Sequence, residues 1–93
     1  MFVKLLSIDF LIPGCSSLKE KRFVLASIKT RIRQRFNVAV SEVDFQDKWQ
    51  RCRLGVVTVG PDKKFVDTSC DKVLRLLERE HRIEILDIVQ ELR

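Results

Sequence analysis

Three groups of residues in this chain have the chemistry to form a site. The first is Gly14-Cys15-Ser16-Ser17, a loop of small residues ahead of a helix, whose free amides suit an anion. A cysteine phosphatase would need an arginine six positions after its cysteine to cradle the phosphoryl oxygens. That position after Cys15 is Lys21, and Arg22 lies one too far. There is no Walker lysine motif and no G-x-G-x-x-G run. The second group is Glu42, Asp44 and Asp47. They suit a hydrolytic pair less well than turn caps or partners for Lys48 and Arg51. The third is cationic: Arg31, Arg33, Arg35, Lys48, Arg51 and Arg53, with Lys19, Lys21 and Arg22 close to the amide-rich helix start. Such side chains hold phosphates and confer little sequence choice; their competing role is ordinary solvated charge.

The rest of the ionisable inventory narrows the field. The one histidine, His81, stands among Glu80, Arg82 and Glu84, like a turn residue, and no Ser-His-Asp set assembles around it. Cys15, Cys52 and Cys70 are odd in number and lack a C-x-x-C pair. This argues against a disulfide framework and a zinc site, and for apolar fillers in a reducing compartment. No cofactor and no metal are expected.

The net charge is +5 and it is lopsided. Met1 to Arg53 holds 11 Lys and Arg against 5 Asp and Glu, whereas the remainder holds 7 against 8. A basic field attracts phosphate-bearing partners. The apolar start, Phe2 to Ile12 followed by Pro13-Gly14-Cys15, imitates a secretion signal. Asp9 interrupts it, the run is short, and Pro13 adjoins the supposed cut. The expectation is a cytoplasmic protein with no membrane partner.

The elements that must position these groups follow from periodicity. Phe2 to Ile12 is apolar on both alternating faces, as in a covered central strand. Ser17-Leu18-Lys19-Glu20 is a capping box, Ser17 accepting from the third helical amide and Glu20 reaching back to the Ser17 amide. The helix it opens buries Leu18, Leu25, Ile28, Ile32 and Phe36, flanked by Arg22, Lys29, Arg31, Arg33 and Arg35, with Phe23 pointing away and Asn37 as its stop. Val38 to Phe45 and Trp49 to Val59 form a hairpin about a turn near Gln46-Asp47-Lys48. Asp62 caps a second helix, with Val66, Cys70, Val73 and Leu77 buried, and Ile83 to Leu92 is the last strand. Strand, helix, strand, strand, helix, strand in 93 residues is a single α+β domain. It is a ferredoxin-like βαββαβ two-layer sandwich, with two helices on one face of a four-stranded antiparallel sheet.

One sheet face is then left open. In the third strand either Trp49, Arg51, Arg53, Gly55, Val57 and Val59 or Gln50, Cys52, Leu54, Val56 and Thr58 meets the helices; periodicity alone does not choose. Either way an apolar surface remains, and such a surface marks an interface. A homodimer through that face, or through Phe23, is expected. Trp49 reads as a core anchor of the hairpin or an interface anchor, the core being the expected place. The glycine- and aromatic-rich octamer of sheet-face RNA readers is absent, as is the loop signature of acylphosphatases, which share this plan.

Ile12-Pro13-Gly14 leading to Ser17-Leu18-Lys19-Glu20-Lys21-Arg22, then Arg35-Phe36-Asn37-Val38, Glu42-Val43-Asp44, Gln46-Asp47, Trp49-Gln50-Arg51 and Leu54-Gly55-Val56 form a specific combination. It resembles the YlxP-like family of small bacterial proteins, over nearly the whole chain. The resemblance implies a ferredoxin-like fold and a cytosolic bacterial protein. It also implies gene neighbours in transcription and translation, ribosome-binding factors among them. The family has no assigned function and supplies no site residues. The expected function is a non-catalytic accessory protein that binds RNA or the ribosome through a basic surface. Its rivals are a homo-oligomerising interaction domain and, behind it, a small phosphate-processing enzyme using the Gly14 to Ser17 loop.

Overall fold

A computed structural model describes residues 1–93. The elements are β1 (Phe2–Leu11), α1 (Leu18–Arg35), β2 (Ala39–Asp44), β3 (Arg51–Gly60), α2 (Lys63–Glu78) and β4 (Glu84–Leu92). The sheet order is β2-β3-β1-β4, with every neighbouring pair antiparallel. This is the ferredoxin-like α+β plan expected from the sequence.

The core decides which sheet face is covered. Leu6, Ile8 and Phe10 of β1 and Cys52, Leu54 and Val56 of β3 are fully buried against the helices. α1 contributes Val24, Leu25, Ile28 and Ile32, and α2 contributes Val66, Cys70, Val73 and Leu77. Arg51, Arg53, Gly55, Val57 and Val59 therefore lie on the open face. Phe23 stays 72% exposed, as its place off the apolar stripe requires.

The helix ends show where local chemistry held and where it shifted. Ser17 Oγ accepts from the Glu20 amide at 3.1 Å, and Asp62 Oδ1 accepts from the Phe65 amide at 2.8 Å. The Glu20 carboxylate, however, accepts from the amide and hydroxyl of Ser16, not from the Ser17 amide. These bonds hold its carboxyl below the usual range. α1 runs one residue short of the expected stop: Phe36 is its cap, and its amide donates to the Ile32 carbonyl.

Two irregularities shape the sheet. The β2–β3 register slips between Glu42 and Asp44, and the β1–β4 register slips at Asp9 and Phe10. Glu42 alternates with buried Val40 and so faces the helices, and the first slip turns Asp44 onto the open face opposite Arg53. Phe45 then takes φ 64°, a left-handed conformation unusual for a bulky residue.

Candidate nucleic-acid interface

The expected cations do not form one patch. Lys21 is 1% exposed: its Nζ lies 2.8 Å from Glu42 Oε2 and donates to the carbonyls of Phe45 at 2.7 Å and Lys48 at 2.6 Å. It clamps the β2–β3 loop to α1 and cannot reach a phosphate. Arg53 and Arg51 lie on the open sheet face, across the sheet from α1. Arg53 donates to both oxygens of Asp9 and, at 3.1 Å, to Asp44; Arg51 reaches Asp9 at 3.4 Å. Arg53 first, then Arg51, holds the Asp9 carboxyl below the usual range. Both guanidiniums also stack over the Phe45 ring, at 5.1 and 4.4 Å. This cluster is internally neutralised, so Arg53 in particular is not a free phosphate ligand. The carboxylates near the turn also have partners other than those expected: Glu42 serves Lys21 and Asp44 serves Arg53.

Helical geometry splits the α1 cations between two flanks. At about 100° per residue, Arg31 and Arg35 lie on the flank toward α2, and Arg22, Lys29 and Arg33 on the flank toward β2. Arg33 donates to the Val40 carbonyl of β2 at 3.0 Å. Lys19 and Lys48 are exposed and, like Arg22 and Arg35, have no carboxylate within ion-pair distance.

The strongest cationic concavity lies between the helices. A cleft of about 490 Å³ is lined by Arg31, Arg35, Phe36, Lys72, Arg75, Leu76 and Arg79: five cations, two apolar residues and no carboxylate. Lys72, Arg75 and Arg79 fall on one face of α2 by their spacing of three and four. Sequence reasoning missed all three, because the half of the chain they occupy is slightly acidic overall. The signal was present in the spacing. Of the acids in that half, Asp67 pairs with Lys4 and Lys63, and Asp62 caps α2.

One carboxylate governs the cleft from outside it. Glu80, buried in the α2–β4 turn, pairs with Arg31 and takes three further bonds from Arg82, from its Nε at 2.8 Å and from its amide and Nη2 at 3.1 Å. The Arg82 guanidinium first, with Arg31 assisting, brings the Glu80 carboxyl down to about 2. Arg31 is thus half committed to Glu80, while its Nε is buried without a partner. Arg35, Lys72, Arg75 and Arg79 carry no ion pair.

The remaining candidates lose their chemistry on inspection. The Cys15 amide donates to the Ile12 carbonyl and the Ser16 amide to Glu20, so a carboxylate of the chain itself sits where an anion would. No depression of the surface is lined by residues 13–17. The thiols of Cys52 and Cys70 are pushed up by burial, which makes them poor nucleophiles. Trp49, expected in the core, is 52% exposed. No helix is long and apolar enough to cross a membrane.

Residues 3–90 match the family described as "Protein of unknown function (DUF503)". The chain is 38% identical over 76 residues to "Uncharacterized protein YlxP" of Bacillus subtilis (strain 168), covering 82% of this chain and 83% of that protein. The length of the match and the identity show that this protein belongs to the DUF503 family.

Proposed function

We propose that this protein is a non-catalytic accessory protein that grips the phosphate backbone of structured RNA, in the cytoplasm and in the setting of the ribosome. The observation that carries the reading is the interhelical cleft, where five cations converge and no acid lines the wall. Cations held apart on two rigid helices cannot relieve their repulsion by moving away. A polyanion that neutralises them is the complementary occupant. Recognition of this kind is sequence-tolerant and displaced by salt. Four unpaired cations engaging about four phosphates give a log affinity that falls with log salt at a slope of about −3 to −4. A titration with a ribosomal RNA fragment measures this. Arg75→Ala is expected to weaken binding about tenfold near 0.1 M salt and to reduce the slope by about 0.7–0.9. A flat salt response, or no loss in the variant, would remove the reading.

A second reading is favoured by the open sheet face. Val43, Val57, Val59 and Val89 are each 40–57% exposed there, and Val43, Val57 and Val89 line a depression of about 380 Å³ together with Ser7, Ser41 and Gly55. Such a continuous apolar surface suits a homodimer by face-to-face packing. Val57→Glu, with its charge at the centre of that face, shifts sedimentation to the monomer if the dimer exists. A wild type that sediments as a monomer at every concentration excludes it.

A further inference from the structure

Resting on the RNA reading, we infer that Trp49 is a stacking platform for an unpaired nucleobase, with Lys48 placed for an adjoining phosphate. Trp49 leaves half its surface in water beside a shallow depression of about 400 Å³, whose walls are Leu11, Asp47, Lys48, Trp49, Gln50 and Arg51. Hydration of that much indole is unfavourable, and nothing in the chain covers it.

The backbone carrying the indole is nevertheless anchored on both sides. Before it, the Lys48 carbonyl accepts from buried Lys21 at 2.6 Å and the Lys48 amide donates to the Phe45 carbonyl at 3.0 Å. After it, the Gln50 carbonyl accepts from the Ile12 amide at 2.8 Å and the Gln50 side chain donates to the Cys15 carbonyl at 3.1 Å. The left-handed Phe45 at the start of the loop is held by its Asp44 bond and by the Lys21 clamp. An exposed aromatic on a preorganised loop pays little ordering entropy when a flat partner stacks on it.

Charge selects the partner. Lys48 is unpaired, whereas Arg51 is drawn toward Asp9 and the Phe45 ring. Arg22, adjacent in the chain to the Lys21 that clamps this loop, has no ion pair. Asp47 is the one acid in the wall. A π-face amid cations matches a base whose flanking groups are phosphates. The base must be unpaired, since an indole cannot reach the face of a base inside a continuous duplex.

The test uses the intact protein, whose single tryptophan reports stacking directly. A single-stranded RNA of about 12 nucleotides, within the span such surfaces cover, is compared with a blunt duplex of equal length. Fluorescence anisotropy of labelled RNA measures binding, and tryptophan emission with unlabelled RNA measures stacking. The single strand is expected to quench Trp49 strongly and the duplex to bind with little quenching. Trp49→Ala should weaken the single strand about tenfold and leave the duplex within about twofold, with Trp49→Phe retaining most affinity. Binding without quenching, or Trp49→Ala binding single strands like the wild type, overturns the platform and leaves the phosphate cleft standing. Failure of both RNAs to bind overturns the cleft and the platform together.

Discussion

Replacing Lys21 with methionine is expected to lower the unfolding free energy by about 3–5 kcal/mol. The replacement fills similar volume, so the loss is electrostatic rather than a cavity. It strands the Glu42 carboxylate, which lies in a largely buried setting, and removes the donor to the carbonyls of Phe45 and Lys48. A 93-residue domain has only roughly 5–14 kcal/mol in total, so the effect is a large fraction of its stability. In urea, with a slope of about 2 kcal/mol per molar, the midpoint falls by roughly 2 M. Removing both charges, in Lys21→Met/Glu42→Leu, should recover a substantial part, because no buried charge is then left alone. A single variant within about 1 kcal/mol of wild type would show that the clamp contributes nothing. The same variant loosens the Trp49 loop, so its emission should shift at urea concentrations where far-ultraviolet circular dichroism is still native.

Glu80→Gln is expected to remove about 3 kcal/mol at neutral pH, and the deficit should disappear in acid. A carboxyl ordinarily near 4.5 is held at about 2 in the folded protein by Arg82 and Arg31, which corresponds to about 3 kcal/mol of linkage. The folded value lies below the unfolded one, so between these limits the unfolded chain binds more protons. The stabilisation is complete above the ordinary value. It declines as pH falls from there and is gone below about 2. Wild type and variant stability curves should therefore converge on acidification. Parallel curves from pH 7 downward would mean that Glu80 acts through packing alone. The variant has a second consequence: Arg31 is released into the cleft, adding a free cation, so RNA affinity at neutral pH should rise rather than fall in the fraction that stays folded.

The ion pairs of Lys21 and Arg53 explain why charge counting along the chain overestimated the free cations. Lys21 belongs to the basic run that opens α1, and nothing in its neighbours distinguishes it from Lys19 or Arg22. It is buried because helical rotation turns it onto the stripe of Leu25, Ile28 and Ile32, and because Glu42, in regular alternation with buried Val40, faces inward to meet it. Arg53 alternates with buried neighbours on a strand and so had to lie on one face or the other. That it meets Asp9 and Asp44 depends on β1 and β2 flanking β3, which is a matter of strand order. Trp49 was expected inside because large aromatics generally are. The bends of the loop, fixed by long-range bonds to Ile12, Cys15 and Lys21, carry it outward.

Hydrophobic period, capping residues and turn residues are local properties, and from them the sequence by itself determined the six elements, their order and the two-layer sandwich. Ser17 and Asp62 start their helices by bonds spanning three residues, and the apolar stripes of α1 and α2 need only helical rotation to form. Only the tertiary structure decided which face of β3 is open, which cations are free and where the free ones gather. Arg31 and Arg35 meet Lys72, Arg75 and Arg79 across some forty residues of chain, because the sheet places both helices side by side. Charge acts through space over about 10 Å in physiological salt, a distance that sequence separation does not measure.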